Sequence, residues 1–166
     1  EIEKKLEELG AKRIGLFTFD EWIFQPKGWE ESGRRRVRVR TDGKKTWVTY
    51  KATIALSIDG TEEVEFEASS AENVVKFFQV SEFPLLRHQQ KRRTRYELGD
   101  ITFEIDNWPK IPEILEIEAH SEKEVRKGAE LLGLDWGKVI FVDQREIHKK
   151  YYGIDMDAFP EYVFEN

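Results

Sequence analysis

At 166 residues, 39% of them hydrophobic and 13% aromatic, the chain is globular and long enough for one domain (1–166) with a sizeable core. Its formal net charge of −6 argues against a general nucleic-acid binder, so no nucleic-acid polymer is expected as a partner. No apolar run approaches the ~18–20 residues of a membrane span, nothing reads as a signal peptide, and the absence of cysteine excludes disulfides and thiolate zinc sites. A cytoplasmic location without a membrane partner is therefore expected.

The chain starts on Glu1 and not on Met, and is read as processed, trimmed or incompletely recorded there. In Glu1–Leu9, the apolar Ile2, Leu6 and Leu9 share one helical face, and Gly10 sits where a cap would end the helix. Lys12–Gln25 is aromatic and β-branched, as in one or two strands, and Pro26–Gly33 reads as a loop. Arg34–Arg40 holds five arginines in seven residues, and Arg36, Arg38 and Arg40 alternate with Val37 and Val39. The turn signals Asp42-Gly43 and Asp59-Gly60 join this strand to Lys45–Ile58 and then to Glu62–Ala68, a three-stranded meander. In the last of these, Glu63, Glu65 and Glu67 oppose Val64, Phe66 and Ala68.

Ser69 or Ser70 caps a helix through Gln79. Lys91–Ala119 then reads as strand, Gly99-Asp100 turn, strand, proline-bounded loop and strand. Lys91, Arg93 and Arg95 share one parity, Thr102, Glu104 and Asp106 another, and Glu116 and Glu118 oppose Leu115, Ile117 and Ala119. Ser121 and Glu124 form a capping box for a helix to Gly133, and Asp143–Tyr152 suggests another. Residues 153–166 have no clear period and are read as a docked tail.

Helices beside an antiparallel sheet predict an α+β fold, and about eight strands can lose their edges by closing into a barrel. The alternation alone fits two arrangements. The charged faces lie in water around an apolar barrel, or they line a polar interior while helices cover the apolar faces.

The ordered set VRVR (Val37–Arg40), TYK (Thr49–Lys51), EVEFE (Glu63–Glu67), KRR (Lys91–Arg93), FEID (Phe103–Asp106) and LEIEA (Leu115–Ala119) resembles the CYTH domain, or triphosphate tunnel metalloenzyme, family. That family includes class IV adenylate cyclases, thiamine triphosphatases and inorganic triphosphatases. The resemblance implies an antiparallel eight-stranded β-barrel (tunnel) with a polar charged lumen, flanked by helices. It also implies a divalent-metal-dependent hydrolase of small triphosphates such as tripolyphosphate, thiamine triphosphate or a nucleoside triphosphate. A class IV-type adenylate cyclase and a non-catalytic polyphosphate- or nucleotide-binding module are the rivals.

Arg38, Arg40, Lys51, Lys91 and Arg93 are the expected phosphate ligands, because arginine presents forked donors and lysine a point charge. Arg34, Arg35 and Arg36 are expected on a solvated loop or strand edge. Glu116 and Glu118, supported by Glu65 and Glu63, are expected to hold Mg²⁺ or Mn²⁺, hard cations that take oxygen ligands. Arg38, Arg40, Lys51 and Asp106 are the expected catalytic set, with Asp106 placing a water or a second metal. Glu67 and Glu104 are further candidates. Glu1, Glu3 and Lys5 match the family's E-x-E-x-K signature strand literally, but the spacing of Ile2, Leu6 and Leu9 favours the helix that follows that strand, in which case the signature strand lies outside this chain. His88, His120 and His148 lack ligand spacing, and a monomer or homodimer is expected.

Overall fold

The computed structural model describes residues 1–29, 35–53 and 61–165. In chain order the elements are α1 (Ile2–Glu8), β1 (Lys12–Phe24), β2 (Arg36–Thr41), β3 (Thr46–Thr53), β4 (Thr61–Ala68), α2 (Ala71–Val80), β5 (Leu85–Leu98), β6 (Ile101–Asn107), β7 (Ile114–Glu118), α3 (Glu122–Leu131), α4 (Gln144–Tyr152) and β8 (Glu161–Tyr162). The α+β class, the eight strands and the flanking helices are as expected. The strands pair in the order β4-β3-β2-β1-β5-β6-β7, an open path, and β8 joins β5 in parallel. The expected Asp59-Gly60 turn, Arg34 and part of the Pro26–Gly33 loop lie outside the described residues.

Local chemistry explains the helix boundaries. Ser70 Oγ accepts from the Asn73 amide at 3.2 Å at the start of α2. At α3 the capping box forms, Ser121 Oγ accepting from the Glu124 amide and donating to Glu124 Oε2 at 2.8 Å. Asp143 caps α4, which ends at Gly153 with φ +68°, a conformation that a side chain would strain.

The chain forms two compact units. In the first, residues 1–17 and 92–141, the apolar parities of β6 and β5 supply Ile101, Phe103, Ile105 and Tyr96. Leu6 of α1 and Leu132, which caps α3, close over them. EIEKK is therefore helix and not strand. Glu3 accepts from the Tyr96 hydroxyl at 2.8 Å, and Lys5 donates to the Leu132 carbonyl at 3.0 Å, so both side chains fasten α1 to its unit.

Gly128 lets α3 lie close to the sheet: a Cβ there would come 3.0 Å from Ile117 Cγ2 and 3.1 Å from Ile101 Cγ2. Both are β-branched strand residues with little room to turn. Gly128→Ala is expected to lose about 1 kcal/mol, because overpacking at ~1–3 kcal/mol exceeds the ~1 kcal/mol gained in helix propensity. A thermal melt checks this, and a raised Tm would contradict it.

In the second unit, residues 18–91 and 142–166, Phe24, Val37, Val39 and Val48 form the core, covered by Val74, Val75 and Phe78 of α2. The opposite parity is also buried. Glu21, Thr49, Arg87, Gln89 and Lys91 are each less than 5% exposed. The same holds in the first unit for Glu104 and Asp106, both 0% exposed. Helices thus cover the apolar strand faces, and the charged faces of β1, β2, β5 and β6 are largely turned away from water, whereas Glu63, Glu65 and Glu67 of β4 are exposed. β4 is less covered, with Val64 57% and Phe66 59% exposed.

Candidate functional site

Strand register builds a cationic cluster in the second unit. Residues directly opposite in a pleated sheet share a face. Glu21 faces Arg40, Arg38 faces Thr49, Thr49 faces Glu65, Arg36 faces Lys51, and Lys51 faces Glu63. Arg40 Nε donates to Glu21 Oε1 at 2.6 Å, and its guanidinium lies 4.7 Å over the Phe19 ring. Arg38 Nη1 is 3.8 Å from Glu21 Oε1, while Nη2 donates to Thr49 Oγ1 at 3.3 Å and lies 3.8 Å from Glu65 Oε2. Thr49 in turn donates to Glu65 at 2.7 Å, and Lys51 Nζ pairs with Glu63 at 2.7 Å.

Glu21 ties this cluster together. It is 1% exposed and also accepts from Gln89 Nε2 at 2.5 Å. Burial alone would raise its carboxyl, but the charges of Arg40, Arg38 and Lys91 and the Gln89 hydrogen bond hold it well below the usual carboxylate range. Burial, reinforced by Arg40, pushes Arg38 down to about 10, against the opposing pull of Glu21. Burial and the charge of Arg38 likewise lower Lys51, against its hydrogen bond to Glu63. Arg38 Nε is buried with no hydrogen-bond partner among the described residues. Arg38 and Lys51 are thus cations with incomplete compensation, the electrostatic condition for binding an anion.

The depressed Glu21 carboxyl has a definite pH consequence. A carboxylate whose folded pKa lies below its ordinary 4.5 stabilises the fold fully above that pH, and the contribution is lost as pH falls toward the folded value. Glu21→Gln is expected to be less stable than the parent at pH 7, with the gap closing as pH falls below 4.5. Denaturant titrations from pH 7 to pH 3 check this. A gap independent of pH would show that the carboxylate charge does not stabilise the fold.

The first unit carries a carboxylate cluster. Arg93 faces Asp106, Arg95 faces Glu104, and Glu104 faces Glu116. Arg93 Nε and Nη2 donate to the two Asp106 oxygens at 2.6 Å each, Nη2 also reaches Glu116 at 2.8 Å, and Nη1 pairs with Glu104. Burial would lower Arg93, but Asp106, Glu116 and Glu104 together raise it well above the usual range. Arg95 Nε donates to Glu104 Oε1 at 2.8 Å. Glu104, Glu116 and Glu118 each bring one oxygen within 4.8 Å of the others, a donor set suited to a hard divalent cation.

The sequence-based expectations sort accordingly. Arg38, Arg40 and Lys51 come together as expected, and Lys91 acts on the same Glu21. Glu116 and Glu118 come together with Glu104, a secondary candidate. Glu63 and Glu65 are instead engaged with Lys51, Thr49 and Arg38. Glu67 pairs with Lys45 at 2.8 Å on an exposed face. Both Asp106 oxygens are bonded to Arg93, so Asp106 orients that guanidinium. Arg36 is a correction: it is a half-buried member of β2 with a buried Nη1, not a solvated edge residue. Arg35 is exposed, as expected.

Glu21, Arg87 and Gln89 were not anticipated. Arg87 and Gln89 continue the parity of Lys91, Arg93 and Arg95 backward, a signal present in the sequence. Glu21 shares its parity with Phe19 and Ile23, so nothing in the pattern marks it. The histidines take partners or remain at the surface. His88 contacts Glu161 at 2.6 Å and Asp20 at 3.0 Å, His148 Nδ1 contacts the Gln144 carbonyl, and His120 is exposed.

An α+β sheet whose strands carry buried guanidinium and carboxylate clusters defines the class. The chain belongs to the CYTH domain family, whose model matches residues 1–148. No curated protein matches it by sequence. Among solved structures it is similar to the PH1012 protein from Pyrococcus horikoshii OT3, at 28% identity and TM-score 0.72, covering 86% of this chain and 88% of that one. A candidate adenylate cyclase from Vibrio parahaemolyticus shares the fold at 8% identity and TM-score 0.71, with 88% of each chain covered. A candidate adenylyl cyclase from Hippeastrum, described as having a dominant triphosphatase activity, shares it at 17% identity and TM-score 0.58, with 92% of this chain and 90% of that one covered.

Proposed function

We propose that the protein is a divalent-metal-dependent hydrolase of small triphosphates. The observation that carries this reading is the cluster of Arg38, Arg40 and Lys51, in which Arg38 Nε is buried without a hydrogen-bond partner among the described residues. Phosphate oxygens would supply the missing acceptors, with arginine forks holding the chain of phosphates in one orientation. Glu21 keeps Arg40 and Arg38 in place. Charge that develops on phosphate oxygens in the transition state meets cations already positioned for it.

Glu104, Glu116 and Glu118 fit a hard divalent cation such as Mg²⁺ or Mn²⁺, their oxygens being clustered and carboxylic. Such an ion, when bound, neutralises phosphate charge as a Lewis acid. Arg93, held by Asp106, fixes Glu104 and Glu116 and limits their mutual repulsion. In the reaction a water oxygen bonds to the terminal phosphorus as the bond from that phosphorus to the bridging oxygen breaks. Water loses a proton, and orthophosphate and a diphosphate product leave.

The test is incubation with tripolyphosphate, thiamine triphosphate or ATP, each with Mg²⁺ or Mn²⁺. Orthophosphate release is expected. Cyclic AMP with pyrophosphate would replace this reading with a cyclase, and saturable binding without turnover would replace it with a binding module. Glu116→Gln with Glu118→Gln is expected to weaken Mn²⁺ binding by at least about tenfold, read by calorimetry or electron paramagnetic resonance. Unchanged Mn²⁺ affinity would remove these carboxylates from the metal site.

A further inference from the structure

The second unit holds a group of cations that this reading leaves unused. Arg36 precedes Arg38 by one strand repeat, about 6.7 Å, on the same face of β2. Arg87, 3% exposed, comes from β5, and Arg145 comes from the first turn of α4. Asp143 and Asp157 lie among these three guanidiniums, and the charges of Glu21 and Glu63 also act on Arg36. Asp157 pairs with Arg87 Nη1 and lies 3.6 Å from Arg145 Nη1. Asp143 Oδ2 accepts from Arg145 Nη2 at 3.2 Å, while its Oδ1 is engaged by the Glu146 amide as the cap of α4. Arg87 Nε also donates to Gln89 at 2.6 Å.

Arg36 is left short of acceptors. Its Nη1 is buried and takes no hydrogen-bond partner among the described residues. A buried charged donor without an acceptor is costly, and a structural clasp for the C-terminal segment would not need one. Burial, and then the charge of Arg145, push Arg36 below the usual arginine range. Burial, with Arg145 and Arg36, pushes Arg87 down to about 10 against the pull of Asp157. Arg36 and Arg87 would therefore be stabilised by one more negative charge.

We propose that Arg36, Arg87 and Arg145 form a second oxyanion subsite that takes a phosphate group in addition to those held by Arg38, Arg40 and Lys51. That phosphate is either a further group on a chain longer than three, which rests on the triphosphate reading above, or free orthophosphate, which does not. Asp157 competes with it for Arg87 and Arg145.

Calorimetric titration of the full chain in chelator, which prevents turnover, separates the sources. Tripolyphosphate, tetrapolyphosphate and orthophosphate are the probes. If the chain supplies the group, tetrapolyphosphate binds at least about tenfold more tightly than tripolyphosphate, the value of one charge-assisted hydrogen bond. If orthophosphate supplies it, a second equivalent binds to protein saturated with tripolyphosphate. Either effect is lost in Arg145→Gln and in Arg36→Gln. It strengthens severalfold in Asp157→Asn, a gain that misfolding cannot produce.

The subsite is overturned if the parent shows neither effect, or if the three substitutions leave the effect unchanged. Should tripolyphosphate fail to bind while orthophosphate binds in an Arg145-dependent way, the triphosphate reading falls and the subsite stands. Should neither bind, both fall.

Discussion

Arg38→Ala is expected to lower kcat/KM for the preferred triphosphate by at least roughly 150-fold, about 3 kcal/mol of transition-state stabilisation. Arg38 lies between Glu21 and Glu65, bonds Thr49, and retains a buried Nε with no hydrogen-bond partner among the described residues. Its removal deletes a guanidinium from a low-dielectric setting, where charge on phosphate oxygens is stabilised most strongly. The fold should tolerate the change, because Glu21 keeps Arg40 at 2.6 Å and Lys91 as compensating charges. Steady-state kinetics beside a thermal melt separate the two effects. Activity within about threefold of the parent would take Arg38 out of the site, since no electrostatic group at a reacting phosphate is worth so little.

The second large effect is on stability. Arg93→Met should cost about 3–5 kcal/mol, because one substitution leaves Asp106, Glu104 and Glu116 without the guanidinium that compensates them. Asp106 and Glu104 are both 0% exposed, so water cannot take over. For a chain of this size the loss corresponds to a Tm lowered by roughly 6–20 °C. Arg95 is the control. Among the described residues it pairs with Glu104 alone, and it is 39% exposed, so Arg95→Met should cost only about 1 kcal/mol or less. Equal losses at the two positions would mean that the Arg93 network contributes no more than an ordinary surface pair.

These two arginines also show how far the sequence could be read. Arg38 and Arg93 are both singled out by period-2 alternation and by their place in an ordered set of family motifs. The carboxylates Glu116 and Glu118 were found in the same way. β5, however, starts at Leu85 and not Lys91. LLRHQQ carries no β-branched signal, and its His88 and Gln89 are held extended by pairing with β8. Arg87 and Gln89 were missed for that reason. Arg36 was assigned to solvent because it adjoins a loop, whereas Asp143 and Arg145, more than a hundred residues later, approach it. Tyr96, by contrast, stands opposite the parity of Lys91, Arg93 and Arg95 and is fully buried.

Alternation, turn dipeptides and capping residues by themselves determined most of the strands, the helix starts and the side on which each charge stands, since these depend on neighbours a few residues apart, but not the start of β5 or the short β8. Only the tertiary structure decided that the charged sides of β1, β2, β5 and β6 are largely buried, that Glu21 binds the arginines together, and that Glu104 joins Glu116 and Glu118. The reason is physical. Burial and ion pairing depend on which strands become neighbours, and β1 lies beside β5, and β5 pairs with β8, across long stretches of intervening chain.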